Sequence, residues 1–254
     1  MLKAFFHTVV YEPLYNGLIF LIDIVPQHNA GLAVIILTIL VRVILFPSSR
    51  KAIRSQMKMK EIQGEVDAIS KKYKDDKQER AKQTMALYKE KKINPLAPIV
   101  PLLFQLPIIF SLYLIFAQSG LPKVNSDFLY SFVQLPNMVN TNFFNLFDIT
   151  QKNLYVALLA GITQFIQASV YVKLTSPSKD SPKEERGSRP SFQADFQKSM
   201  NFQMKYLFPF LVTWFAYSLS GAIALYWTTS NIFSIMQELI TRREKSGPRE
   251  THKK

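Results

Sequence analysis

Residues 31–46 read GLAVIILTILVRVILF, an apolar run with one charge, Arg42, and no Asp or Glu. A guanidinium stays ionised at any physiological pH, so lipid does not remove the charge by neutralising it. Charges in spanning helices usually face a protein interior or a water-filled cavity and mark function. Position alone leaves a second reading open. Arg42 stands five residues before Pro47, about 7 Å along a helix. From there its long side chain reaches the cytosolic headgroups by snorkelling.

The same segregation runs outward through the chain. It has 254 residues, is 48% hydrophobic, carries a net charge of +13 and contains no cysteine. Residues 96–118, 153–172 and 206–237 contain no Asp, Glu, Lys or Arg. Uncharged apolar runs near or above about twenty residues read as membrane-spanning helices. Without cysteine, neither a disulfide framework nor thiolate chemistry nor a lipidated N-terminus is expected. The first residues make a poor signal peptide, because only Lys3 is basic and no small-residue cleavage site follows. Residues 1–28 are read instead as an extracytoplasmic amphipathic helix lying in the interface. Phe5, Phe6, Val9, Val10, Leu14, Leu18 and Leu21 recur near helical spacing, interrupted by His7, Glu12 and Asn16. A short span through residues 14–25 is the alternative.

Charge fixes the expected orientation. Residues 47–95 carry 14 Lys/Arg against 7 Asp/Glu, residues 173–205 carry 7 against 4, and residues 238–254 carry 6 against 3. Residues 1–30 and 119–152 show no basic excess. The positive-inside rule places the first three in the cytosol and the others outside, N-out and C-in. Both flanks of 206–237 are then cytosolic, so that run crosses twice, turning near Ser218, Ser220 and Gly221. The expected fold is an all-α polytopic membrane protein with five transmembrane helices, at 29–47, 96–118, 153–172, 206–220 and 221–240. The last two are short against a hydrocarbon core of about 30 Å and should thin the bilayer. Residues 119–152 form an extracytoplasmic segment, 173–205 a cytosolic loop and 241–254 a basic cytosolic tail.

Residues 48–95 read as a charged cytosolic helical hairpin. Ile62, Val66, Ile69 and Tyr73 share one helical face, Ala81, Met85 and Tyr88 another, and KYKDDKQ supplies the turn. The arms pair with each other or dock on a partner, with Met57, Ile62, Tyr73, Met85 and Tyr88 as the candidate contacts. Their basic excess suits anionic lipid or RNA phosphate equally. Residues 175–193, rich in Ser, Pro and charge, are expected to be disordered.

Enzyme chemistry is not expected. The three histidines are scattered, no HExxH, GxGxxG or Walker-type loop occurs, and no catalytic residue, metal site or cofactor is indicated. The uncharged runs hold no carboxylate for a proton relay or a hard cation. They do hold uncharged polar groups. Thr38 shares the face of Arg42 one turn earlier, and Gln164 and Gln167 lie three apart on one face. Gln105, Ser111, Thr163, Thr213, Thr228, Ser230 and Asn231 add more. Singly, such residues usually make helix–helix hydrogen bonds; together they are also suited to line a wet groove around one cation. A small-solute transporter or anion channel, with Arg42 as its selectivity charge, is the competing class. A scaffold that assembles with a translocon is a third.

The segments LTILVRVILFP (37–47), NPLAPIVPLLFQLP (94–107), AGITQFIQ (160–167) and SGAIALYWTTSNIFSIMQ (220–237) resemble, in order, those of the YidC/Oxa/Alb family of membrane-protein insertases. The charged hairpin through MALYKEKKINP (85–95) does too, and the resemblance covers roughly residues 10–243. It implies five core helices around a hydrophilic groove open to the cytosol and lipid. Arg42 is implied as the groove's basic residue, with Thr38 and Gln164 nearby, Gln167 at a groove position and Trp227 at the lipid-facing exit. It further implies nascent membrane proteins as clients in the cell membrane. A targeting receptor and ribosome are implied at the hairpin, with a Sec translocon as a further partner beside the membrane lipids, and no DNA. The chain departs from the family pattern at Ala97–Pro98, where a Gly-Cys-like pair is common, and in its short basic tail.

Overall fold

A computed structural model describes residues 2–97, 100–118, 121, 124–175, 199 and 202–246. Pro98 and residues 176–193 therefore lie outside the described residues. Helix α1 (residues 2–24) runs through a π-helical turn at His7–Tyr11. That turn lies just ahead of Pro13, whose ring displaces the regular backbone bond. Helix α2 (Ala30–Ile44) is capped by Asn29, whose Oδ1 accepts from the Leu32 amide at 3.0 Å. At Leu45 the chain bends by 61° into α3 (Phe46–Glu61), with Pro47 in its first turn. Two cytosolic-type helices follow, α4 (Gln63–Lys72) and α5 (Lys77–Glu90). Helix α6 (Val100–Tyr113) contains Pro107 and runs into a π-helical turn at Leu114–Gln118. A two-stranded ribbon, β1 (Asn142–Phe143) and β2 (Phe147–Asp148), precedes α7 (Leu154–Thr175). Helix α8 (Phe208–Ser218) begins after a π-helical turn at Gln203–Leu207, again just ahead of a proline, Pro209. The chain then reverses into α9 (Gly221–Ser246).

Helix α9 is the centre of the bundle, packed against α2 and α7, while α8 packs on α7 and α1 on α2. Small residues allow the close approach. Ala157, Ala160, Ala216, Ala222 and Ala224 are buried, and a Cβ on Gly161 would collide with the Thr213 side chain. Among the described residues, Ala4–Ile24 and Leu154–Lys173 are long and apolar enough to cross a membrane, and the bent pair α2–α3 makes a third candidate.

Two elements differ from expectation. Tyr15, Leu18, Ile19 and Ile22 are wholly buried in the core shared with α2. Leu14, Leu18 and Leu21 of the expected stripe are thus spent on protein, while Phe5 and Val9 of it, with Phe20 and Ile24, stay 49–63% exposed. Helix α9 is not short: its 26 residues give about 39 Å of helix, and the segment read as a tail from 241 begins inside it. Only α8 with its π-helical turn remains undersized.

The segment between α6 and α7 is stitched to the bundle. Buried Asn16 donates to the carbonyl of Phe128 at 2.8 Å and accepts from the Tyr130 amide at 2.7 Å. The Ala30 amide donates to the Asn140 carbonyl at 2.9 Å. At the α8–α9 turn, the Gly221 and Ala222 amides donate to the Gln151 and Ile149 carbonyls at 2.9 and 2.8 Å. Gly221 eases that approach, since a Cβ would sit 3.1 Å from Phe147 and 3.3 Å from the Ile149 backbone, so those neighbours would have to give by a few tenths of an ångström.

Candidate functional site

The bend between α2 and α3 opens a cleft of about 340 Å³, counted with its open side, lined by Thr38, Val41, Arg42, Leu45, Ser49 and residues of α6 and α9. Arg42 projects from α2 across the bundle. Its Nη2 donates to Gln105 Oε1 of α6 at 3.0 Å and to Ser230 Oγ of α9. Both partners are neutral, so the guanidinium is oriented without being paired by them to an anion. The half-buried side chain is turned toward α6 and α9. Thr38 is buried, but its hydroxyl donates to the Val34 carbonyl at 2.6 Å, so it bonds within its own helix.

A second polar network joins α7 to α9. Gln164 Nε2 donates to Gln167 Oε1 at 3.2 Å, and Gln167 Nε2 donates to Glu238 Oε1 at 2.8 Å. Asn231 Nδ2 donates to Thr163 Oγ1 at 3.2 Å. The structure thus ties Arg42 to Gln105 and Ser230, and Gln164 to Gln167 and Glu238, with Ser230 and Glu238 both on α9. Glu238 escapes a reading from sequence because it stands one residue beyond the charge-free run. Next to Arg242, Arg243 and Glu244, it looks like part of a solvated tail. In the structure it is only 4% exposed.

Trp227 does not face lipid. It is 9% exposed within the main core, whereas Trp214 of α8 is 62% exposed. The N-terminal half of α9 is enclosed, with residues 221–228 all buried, so its tryptophan packs inward.

Near the C-terminal end of α9, α3 is tied to it. Glu244 accepts from Arg50 Nε at 3.1 Å and from Arg54 Nη2 at 3.0 Å. Buried Gln237 donates to the Phe46 carbonyl at 3.1 Å, at the bend itself. The hydrogen bond from Arg50 holds the Glu244 carboxyl below its usual range. The paired helices α4 and α5 enclose a small core of Ile62, Val66, Leu87 and Ile93, with Tyr88 against it. Ile62 is therefore spent inside the hairpin, while Tyr88 is half-buried against its core. Of the five expected contacts only Met85 is well exposed, while Met57 and Tyr73 are half-buried.

The fold is that of a helical membrane protein with several apolar helices, in which Arg42 reaches from α2 to residues of α6 and α9. The family described as 60Kd inner membrane protein matches residues 20–248, and the chain belongs to this YidC/Oxa/Alb family. It is 30% identical to the membrane protein insertase YidC of Clostridium tetani over 218 residues, 86% of this chain and 84% of that protein. It is 32% identical to proteins of the same name from Francisella philomiragia and Francisella tularensis subsp. novicida, over 89% of this chain. The chain spans about a third of the length of those Francisella relatives, 34%. Membership makes this a bacterial inner-membrane protein, of a family that is not a catalytic enzyme class.

Proposed function

We propose that the chain is a membrane-protein insertase that receives nascent membrane proteins and helps them fold, through the cleft beside Arg42. The observation that carries this is a guanidinium held across the bundle by neutral partners from two other helices. Moving a hydrophilic tail through hydrocarbon is slow because its polar groups must be desolvated. A polar cleft partway into the bilayer shortens the dry path. The undersized α8, residues 203–218 with its π-helical turn and about 24 Å long, shortens it further by thinning the membrane. Arg42 pairs transiently with acidic groups on the arriving tail, and the client's apolar span then partitions into lipid without nucleotide. The chain crosses five times, N-out and C-in, placing α3, α4 and α5 in the cytosol, where a targeting receptor and the ribosome approach them. A Sec translocon is a further partner.

Expression in an insertase-depleted strain tests the reading. Wild type should restore growth and client insertion. Arg42→Ala should abolish insertion of acidic-tailed clients and Arg42→Lys should largely retain it. Failure of wild type to insert any client, or equal loss from both substitutions, would refute the charge-based mechanism.

A further inference from the structure

Glu238 is a buried carboxylate that its surroundings satisfy only by half. Oε1 accepts from Gln167, but Oε2 is buried with no hydrogen-bond partner among the described residues. One turn along the same face of α9, Thr241 is 1% exposed and its Oγ1 is likewise unpartnered. Buried polar atoms are normally paired, and a half-satisfied carboxylate is costly to maintain. Two acceptors a turn apart, one of them a carboxylate, suit a cation with several N–H donors, as an ammonium or guanidinium has. A divalent metal wants more oxygen ligands, and among the described residues no group of three or more His, Cys, Asp or Glu comes together.

Placement adds direction. Glu238 follows Ser230, the α9 partner of Arg42, by eight residues, about 12 Å along the helix. It lies toward the end of the bundle that carries the Glu244 contacts with α3. Membrane proteins concentrate Lys and Arg on the cytosolic flanks of their spans. A client tail drawn in to Arg42 passes the level of Glu238, and any Lys or Arg it carries passes there too. We propose that Glu238, with Thr241 beside it, binds a Lys or Arg side chain of the client, so that the site reads both signs of charge. This rests on the insertase reading above.

The test uses purified full-length protein in vesicles and three clients identical but for a Lys, Glu or Gln in the hydrophilic tail. Glu238→Gln keeps shape and removes the charge. It should lower the ratio of Lys-tail to Glu-tail insertion about tenfold, whereas Glu238→Asp should keep the ratio near wild type and Arg42→Ala should raise it. An unchanged ratio in Glu238→Gln, or equal loss across the three clients, would overturn the assignment. Wild-type protein that inserts none of them would instead refute the insertase reading itself.

Discussion

Arg42 and Glu244 show how two charges on neighbouring helices meet opposite environments. Arg42 is half-buried and held by neutral oxygens, whereas Glu244 is exposed and shared by Arg50 and Arg54. The folded value of Glu244 is lowered, chiefly by the Arg50 hydrogen bond, so its tie to α3 is in full force above the ordinary carboxylate range. It is lost only as pH falls through the lowered value. Spin labels on α3 and α9 should therefore report constant spacing from neutral to mildly acidic pH and separation only in stronger acid. Glu244→Gln should loosen the pair already at neutral pH and show no acid step. Arg42 itself was legible because a lone charge in an apolar run has few explanations. Glu238 was not, since a single residue at the edge of a charged segment shows no sign of the helix that encloses it. Nor does sequence separate Trp214 from Trp227, because both stand in charge-free stretches and only packing decides which one turns inward.

Among the elements, the α4–α5 hairpin was readable from its thin apolar stripe and polar turn, and Asp76 caps α5 by accepting from the Gln78 and Glu79 amides at 3.0 and 2.9 Å. The facing residues were less readable. Met85 and Leu87 are two positions apart, about 200° around a helix, and the structure buries Leu87 while leaving Met85 54% exposed. Leu87→Ala should destabilise the hairpin by about 2–4 kcal/mol, seen as faster amide hydrogen exchange in α4 and α5 with little change in α7 and α9. Met85→Ala should leave exchange unaltered. The length of α9 was misread for a related reason, since Arg242 to Lys245 are as compatible with a helix leaving the membrane as with a loose tail.

For the whole molecule, charge segregation gave an orientation that labelling can check directly. The chain has no cysteine, so each introduced thiol reports on one position. Met138→Cys, at a residue 61% exposed in the outer segment, should react with an impermeant maleimide on intact spheroplasts. Met85→Cys should react only after the membrane is opened. The reverse pattern would invert the topology. The outer end of the bundle carries a further consequence. Its seal is made of main-chain bonds from the α8–α9 turn to residues 149–151, closed over a glycine whose added Cβ would press on Phe147 and the Ile149 backbone. Prising those helices apart would strand amides and carbonyls where little water can reach them. Under the insertase reading proposed above, bulk is thereby rationed: a short flexible stretch would pass along the flank of the bundle, but a folded domain would meet a wall built of main-chain bonds.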